Sequence, residues 1–325
     1  MSFKKSSLLW ALLAIFVPSQ AADFRNWDAH SGNGAFQFLE TFQGPRSQAL
    51  SGAGGSVPTQ DALSILVNPA TVERATLHHH FALAWETGAL GANQGLFAYN
   101  TPYRQYLFQT TVVWKAYDAI EGTDVNALNT GTSYLPFNQA IYLSLSFPLQ
   151  NILFGVSAKL VRDHLSDDAE FGDQDALGWG LDWGLVWRSP YPRFGFGLAV
   201  LDLGQQARAY TQDGVNGLGL NTRIRASAHY RPALFRGMTI ALDAEVPRYV
   251  QPTVHAGLEY VPIDWAVVRL GTQRTMSNIS DTQDQLSFAS AGFGLKWKAY
   301  TLDYSVTLLE TGLGQKHRVG LRTGF

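Results

Sequence analysis

Large apolar residues alternate with small or polar residues along most of the chain after residue 75. Residues 177–188 read LGWGLDWGLVWR, so on a β-strand Trp179, Trp183 and Trp187 share one face while glycines and Asp182 take the other. Packing three indole rings side by side is demanding in a protein core, because close packing must enclose every ring. A strand that crosses a membrane meets lipid instead, and it alternates apolar outward residues with polar inward ones. The alternation therefore favours a membrane β-barrel.

The same period of two predicts fourteen β-strands, which are long for a soluble protein. Most of them have about 9 to 13 residues, whereas soluble strands usually have about 5 or 6 and membrane-spanning strands need about 9 to 11. No convincing helical period is present in this region. The predicted strands are 76–86, 92–102, 104–116, 139–147, 151–164, 177–188, 193–203, 222–231, 237–246, 253–262, 264–274, 286–297, 299–309 and 316–325.

The connections between these strands differ in length according to their position. The even-numbered connections are tight and five of the six contain proline, whereas the long connections are all odd-numbered. In an up-and-down meander the two sets lie on opposite sides, which matches the long extracellular loops and short periplasmic turns of outer-membrane barrels. The last strand ends in the aromatic Phe325. We predict an all-β fold for residues 76–325: a transmembrane, antiparallel, up-and-down β-barrel of about fourteen strands in the outer membrane of a Gram-negative-type bacterium.

The first 22 residues have the features of a cleaved secretory signal peptide. Lys4 and Lys5 precede an apolar run over 8–17, and small residues lead to a cleavage site after Ala21 or Ala22. The alternative is a membrane-anchoring helix, but a run of about ten residues is too short to cross about 30 Å of hydrocarbon. We therefore expect residues 1–22 to direct export and then to be removed.

Residues 23–75 lack strand alternation and are rich in glycine, serine and alanine. About fourteen strands enclose a lumen wider than one layer of side chains can fill, so we predict that this segment forms a plug inside the barrel. The strand pattern also predicts a set of polar residues that face the lumen and pair with one another and with the plug. They are Lys159, Asp182, Arg223, Arg225, Arg231, Asp243, Glu245 and Asp303.

Composition and motifs exclude several classes of function. The net charge of −2 gives no reason to expect a nucleic-acid partner, and a chain without cysteine can form neither disulfides nor thiolate metal sites. No nucleophile elbow of the Gly-x-Ser-x-Gly kind occurs, and we predict no catalytic residue and no cofactor.

Three short motifs could suggest ligands but have simpler interpretations. The sequence SGAGGS at 51–56 lacks the Gly-Lys-Ser/Thr of a phosphate loop, so we interpret it as a site of close backbone packing. His78, His79 and His80 offer two imidazoles on one face without an evident third ligand, so we predict polar or interfacial residues and no metal. The acidic stretch 163–175 lacks a calcium-loop spacing and is interpreted as a solvated loop.

Residues 36–70 resemble the opening of PorV/PorQ-type outer-membrane proteins. The sequences FQFL, GPRSQALSGAGG and DALSILVNPA occur here in that order, and they depart from the family at LSG, where it often has Leu-Gly-Met/Leu-Gly. The FQFL opening and the chain length are more similar to PorQ than to PorV, and GLAVLDLGQQARAY at 197–210 is also similar to PorQ. The matching positions are Gly44, Arg46, Ala49, Leu50, Gly52, Gly54, Gly55, Asp61, Asn68, Pro69 and Ala70.

The resemblance implies a fourteen-stranded barrel of the long-chain fatty-acid transporter type with an N-terminal plug. It also implies a component of the type IX secretion system, a membrane anchor or scaffold for a complex that attaches secreted cargo to lipopolysaccharide at the cell surface. In that case Gly44, Arg46, Gly52, Gly54, Gly55, Asp61, Asn68 and Pro69 would have structural or partner-binding roles. The expected partners are outer-membrane lipid and other proteins of the attachment complex.

The alternative hypothesis is a fatty-acid-transporter-like channel for hydrophobic small molecules. Such a channel requires an apolar pocket in the lumen that leads to a gap in the barrel wall. The polar inward faces argue mildly against a wide apolar channel, but the sequence leaves both hypotheses open.

Overall fold

The computed structural model describes residues 34–73, 79–88, 92–123, 129–168, 172–191, 193–210, 217–276, 287–309 and 314–325. The signal-peptide prediction and His78 lie outside these residues. The described strands are β1 His80–Thr87, β2 Asn93–Tyr103, β3 Tyr106–Ala116, β4 Ile120–Thr123, β5 Asn129–Tyr134, β6 Phe137–Leu149, β7 Ile152–Asp168, β8 Gly172–Arg188, β9 Phe194–Arg208, β10 Arg223–Tyr230, β11 Met238–Pro247, β12 Thr253–Ile263, β13 Ala266–Thr275, β14 Ser287–Trp297, β15 Tyr300–Leu309 and β16 Gln315–Gly324.

Fourteen of these strands form one closed antiparallel barrel, which confirms the predicted fold class. Each strand of the barrel pairs with the next one along the chain, and β3 pairs with β6 because β4 and β5 form a separate two-stranded sheet. The barrel closes between β1 and β16, where His80 pairs with Gly324 and Thr87 pairs with His317. His79 and Phe325 exchange two backbone hydrogen bonds of 3.0 Å beside this seam, so the chain is hydrogen-bonded up to its last residue.

The alternation in the sequence corresponds to the two faces of the barrel wall. On β1 the side chains of Leu83 and Trp85 are about half exposed, whereas Ala82 and Ala84 are 1% exposed. On β8 Gly178, Gly180, Gly184 and Asp182 are buried and face inward, and Trp179 is exposed on the outside. Large apolar side chains are exposed on the outside of nearly every barrel strand, as expected for a wall that faces lipid.

The connections keep the predicted division into short and long. Arg104, Gln150 and Lys298 have positive φ angles of 55°, 53° and 53° in tight turns at the short-turn end, the backbone that hairpin turns of two residues require. At the opposite end, the third connection contains β4 and β5, which the alternation did not predict. We call the end of the barrel with the tight turns the short-turn end, and the opposite end the long-loop end.

Aromatic pairs mark the outside of the barrel near both ends. Trp297 and Tyr300 stack with ring centroids 6.3 Å apart beside a tight turn, and Trp85 lies 6.4 Å from Trp114 near the long-loop end. Amphipathic rings favour the boundary between lipid and water, so these pairs indicate where the wall leaves the membrane. Within the described residues, no helix is long and apolar enough to cross a membrane.

Residues 34–73, which we call the internal segment, contact inward-facing residues on strands around the barrel. The segment contains the 3₁₀ helix Gln37–Thr41, the α-helix α1 Pro45–Ala49 and the 3₁₀ helix Ala62–Leu66. Pro45 suits the start of α1 because its missing N–H would have no partner there, and the Asp61 carboxylate caps the last 3₁₀ helix by accepting from the Leu63 N–H at 3.1 Å. The role of this segment as a plug stays a prediction.

Candidate functional site

Asp243 on β11 holds the glycine-rich turn of the internal segment. Its two carboxylate oxygens accept hydrogen bonds from the backbone N–H groups of Gly54 and Gly55 at 3.1 and 2.9 Å. Ser227 on β10 donates to the same carboxylate at 2.8 Å, and the carboxylate is buried. A Cβ atom on Gly55 would lie 2.5 Å from the Ser227 hydroxyl and 2.8 Å from the carboxylate. Only a glycine fits at position 55. The glycine-rich turn SGAGGS therefore binds the carboxylate of Asp243, which belongs to the barrel wall.

Arg225 joins the same turn to a second carboxylate of the wall. The guanidinium donates to the carbonyl of Gly52 at 2.6 Å and to Glu245 on β11 at 2.9 Å. Gly52 has a φ of 87°, and a Cβ atom there would meet the ring of His255 on β12 at 3.0 Å. Arg225 is 3% exposed and Glu245 is 7% exposed. The pair is buried, so losing either partner would leave an uncompensated charge in the lumen.

A second group of charges holds α1 against the adjoining part of the wall, from β12 to β16. Arg46 of α1 donates to the Glu259 carboxylate on β12 at 2.9 and 3.2 Å. Arg269 on β13 donates to Glu259 at 2.8 Å and to Asp303 on β15 at 2.7 Å. Arg322 on β16 donates to the other oxygen of Asp303 at 2.8 Å. This chain of alternating charges ties five elements together.

The third group surrounds an irregularity in the wall between β8 and β9. The pairing shifts between Leu181 and Trp183, and Asp202 in the bulge is buried with a positive φ of 59°. The Asp182 carboxylate accepts the backbone N–H of Asp202 at 2.7 Å. Lys159 on β7 lies 2.7 Å from Asp182 and also pairs with Asp202. The partner of Asp182 is therefore Lys159, another of the inward residues predicted from the sequence.

Arg223 on β10 extends this third group along the wall, from β9 to β11. Its guanidinium donates to Asp202 at 2.8 Å, and Glu245 lies 3.6 Å away. Glu40 of the internal segment accepts from Asn221 at 2.5 Å. Burial raises the pKa of the Glu40 carboxyl, while Arg223 and the hydrogen bond from Asn221 oppose the rise. Arg223 therefore links the wall beside the bulge to the carboxylates around the internal segment.

Asn68 and Pro69 hold the last part of the internal segment against β7 and β8. The Asn68 amide donates to the carbonyl of Gly55 at 2.7 Å and accepts from the Ala70 N–H at 2.9 Å. A Cβ atom on Gly155 of β7 would collide with the backbone of Pro69. Gly44 is enclosed in the same way, because its Cβ atom would lie 2.7 Å from Leu63.

One inward residue of the sequence prediction lies elsewhere. Arg231 was predicted to face the lumen, but this prediction is wrong because β10 ends at Tyr230 and Arg231 is exposed at the following turn. The other seven inward residues are 7% exposed or less. His79, from the histidine triplet, bonds the hydroxyl of Tyr99 through Nδ1 at 2.7 Å. No group of three metal-ligating side chains occurs among the residues that the structure describes.

Sequence reasoning missed the charges that complete these groups. For all of them except Asp202 the available signal was strand parity, because each lies an even number of positions from inward-facing residues of its own strand. Asp202 lies in the bulge, where this parity is interrupted. The partners of the missed charges lie on other strands or in the internal segment, which one strand pattern does not reveal. The missed residues of these groups are Asp202, Glu259, Arg269 and Arg322, and a further missed pair is Glu86 with Arg318.

The lumen has an apolar side as well as this charged one. Phe36, Phe38 and Phe42 of the internal segment pack in a cluster with small or aliphatic inward residues of β1, β2, β3 and β6, such as Ala84 and Leu96. Burial of each Phe or Leu side chain stabilises the folded chain by about 1.5–3 kcal/mol relative to leaving that side chain in water. The internal segment is therefore fixed by charge on one side and by apolar contact on the other.

A cavity of about 240 Å³ lies between the internal segment and the long-loop end. It is lined by four cationic side chains and three carboxylates, together with neutral polar groups. The cations are Arg223, Arg225, Lys316 and Arg318, and the carboxylates are Glu40, Glu86 and Glu245. The apolar pocket that a hydrophobic channel requires is not at this place.

The fold is similar to those of solved outer-membrane hydrocarbon channels and of a FadL homologue. The structure "CymD monoaromatic hydrocarbon channel" matches 87% of this chain and 97% of its own with a TM-score of 0.66 and 14% identity. A TodX variant, also described as a monoaromatic hydrocarbon channel, matches 87% and 99% with a TM-score of 0.62 and 13% identity. A Pseudomonas aeruginosa FadL homologue matches 87% and 98% with a TM-score of 0.55 and 13% identity. No protein-family model and no curated protein matches the chain.

Proposed function

We propose that this chain is an outer-membrane barrel that anchors a cell-surface attachment complex of the type IX protein secretion system. The proposal is supported by the contacts of residues 44–70, which contain the motif that resembles PorV/PorQ-type proteins. Its residues bind the barrel wall: Arg46 binds Glu259, and Gly54 and Gly55 bind Asp243. An internal segment bound to the wall in this way suits a protein that works through its outer surface and loops.

A second candidate function is transport of hydrophobic small molecules across the outer membrane. The structural comparisons favour it over the secretion proposal, since the similar structures are described as hydrocarbon channels or a FadL homologue. A channel of this kind would need the apolar cluster around Phe36 and Phe38 to part, because the cavity at the long-loop end is charged.

Deletion of the gene separates the two candidates. If the chain is an anchor, secreted cargo appears in the medium instead of on the cell surface, while uptake of a labelled fatty acid stays at the wild-type rate. Unchanged cargo attachment together with slower uptake would contradict the anchor and support the channel.

Complementation and purification sharpen this test. The wild-type gene should restore attachment, and detergent-solubilised outer membranes should yield the tagged chain together with other proteins of the complex. A tagged chain that purifies alone from cells with normal secretion would contradict the anchor proposal.

A further inference from the structure

Neither candidate function uses the charged cavity at the long-loop end. Its floor is buried: Ser51 is 5% exposed, His255 is 3% exposed and Arg318 is 1% exposed. Its rim contains half-buried residues such as Lys316 and Gln273. A cavity with a buried polar floor and a half-buried rim can admit a ligand from the solvent on the long-loop side.

The floor carries polar atoms whose hydrogen-bonding capacity is unused. Within the part of the chain that the structure describes, Ser51 Oγ, His255 Nε2 and Arg318 Nε are buried and have no hydrogen-bond partner. All three residues line this one cavity. Because a buried polar atom without a partner costs about 1–3 kcal/mol, this grouping points to a ligand that supplies the missing bonds.

The chemistry of these atoms defines what the ligand must offer. His255 Nδ1 donates to the carbonyl of Ser51 at 2.7 Å, since a carbonyl only accepts, so in the neutral ring Nε2 is an acceptor that needs a donor. Arg318 Nε–H is a donor that needs an acceptor, whereas the two terminal nitrogens already bind the Gln43 carbonyl and the Glu86 carboxylate. Ser51 Oγ can do both. The ligand must therefore carry a hydrogen-bond donor and an acceptor, and hydroxyl groups can supply the donor.

Charge indicates that the acceptor is an anion. Glu245 is paired with Arg225, Glu86 is paired with Arg318, and Glu40 accepts a hydrogen bond from Asn221. Lys316 lines the cavity and forms no ion pair with any residue described in the structure. A cation beside a free guanidinium N–H is suited to a carboxylate or a phosphate.

We propose that this cavity binds a single sugar ring that carries an anionic group. The anion would bind Lys316 and Arg318 Nε, and ring hydroxyls would bind His255 Nε2 and Ser51 Oγ. A volume of 240 Å³ is below the roughly 300 Å³ at which pockets for drug-sized ligands begin, so it suits one ring rather than a larger ligand. The ring could be a free sugar acid or the end of a surface polysaccharide. This inference does not depend on either candidate function.

Titration calorimetry on the full-length chain in lipid nanodiscs tests the proposal. The probes are D-glucuronate, D-glucose as its neutral counterpart, inorganic phosphate as an anion without a ring, and an oligogalacturonide as a polysaccharide end. We expect glucuronate to bind at least about tenfold more tightly than glucose, because a charged hydrogen bond is lost with the neutral sugar. Oligogalacturonide binding would indicate a polysaccharide source, and binding of the monomer alone a free sugar.

Two variants and a control assign the binding to this cavity. Lys316→Gln should weaken glucuronate binding about tenfold, and Ser51→Ala should weaken it about threefold to tenfold, because the first removes a charged and the second a neutral hydrogen bond. Lys298→Gln, at a tight turn at the other end of the barrel, should bind as the wild type does. Thermal unfolding of the variants without ligand should match the wild type, because neither changed side chain has a described polar partner.

Three results would each overturn the proposal. The first is the absence of binding by both glucuronate and the oligogalacturonide. The second is inorganic phosphate binding as tightly as glucuronate, because the hydroxyl groups would then contribute nothing. The third is undiminished glucuronate binding by Lys316→Gln.

Discussion

At the scale of single residues, the inward charges hold the internal segment and the outward aliphatic residues face lipid. Alternation places Asp243 on an inward face, so its burial could be predicted from the sequence. Its partners could not, because Gly54 lies 189 positions earlier and belongs to a segment without alternation. The same holds for Arg46 and Glu259, which are 213 positions apart. Such pairs depend on how the segment folds back into the barrel, which strand periodicity does not encode.

Replacement of Asp243 tests the anchoring of the internal segment. Asp243→Ala leaves the N–H groups of Gly54 and Gly55 without their acceptor and weakens the surroundings of Arg225. We expect the free energy of unfolding to fall by about 3 kcal/mol, as for other broken buried polar groups. Urea unfolding in lipid vesicles measures it. Asp264→Ala, at an exposed turn residue, serves as the control, and equal stability of the two variants would argue against the anchoring role.

Replacement of Leu143 tests the lipid-facing surface. Leu143 is at the middle of β6 and is 62% exposed. We expect Leu143→Arg to cost about 2–4 kcal/mol in the same vesicle assay, because a charge at the membrane midplane is expensive. Leu234 is 91% exposed in a turn after β10, so Leu234→Arg should cost far less. If both variants unfold at the same urea concentration, the outer face of β6 does not contact lipid.

At the scale of elements, the barrel strands were predictable and their irregularities were not. Each of the fourteen barrel strands has its own alternating stretch in the sequence. The small sheet of β4 and β5 escaped prediction because IEGT and NTGTSY carry no apolar alternation and contain a glycine at a φ of 77°. The bulge at Asp202 also escaped, because one extra residue preserves the pattern on either side of it.

The fit between the internal segment and the wall can be tested with a glycine variant. Gly155→Val should displace Pro69 and Ala70 from β7, because a side chain there collides with their backbone. The chain has no cysteine, so a single Ala70→Cys change gives a unique probe. We expect maleimide to label Ala70→Cys slowly, since Ala70 is 0% exposed, and much faster when Gly155→Val is added.

The control for this experiment is Leu234→Val, because the Leu234 side chain is 91% exposed. It should leave the labelling rate of Ala70→Cys unchanged. Rapid labelling in the otherwise unchanged protein would show that the end of the internal segment is not packed against β7 and β8.

At the scale of the whole molecule, the lumen is divided between an apolar side and a charged side, and the internal segment contacts both. The sequence predicted polar inward faces because charged residues recur at every second position of several predicted strands. It did not predict the apolar side, because the sequence alone does not show what small inward residues such as Ala82, Ala84 and Ala98 contact. In the structure the phenylalanines of the internal segment pack in one cluster with them. A segment held on two sides in different ways is expected to close the barrel.

The conductance of the purified chain in a planar lipid bilayer tests this closure most directly. The full chain should carry no steady ionic current, because the internal segment is bound to strands around the lumen. A variant without residues 45–70 should form pores with a stable current, since about fourteen strands enclose an open lumen when nothing fills it. A steady current through the full chain equal to that of the shortened variant would contradict the account.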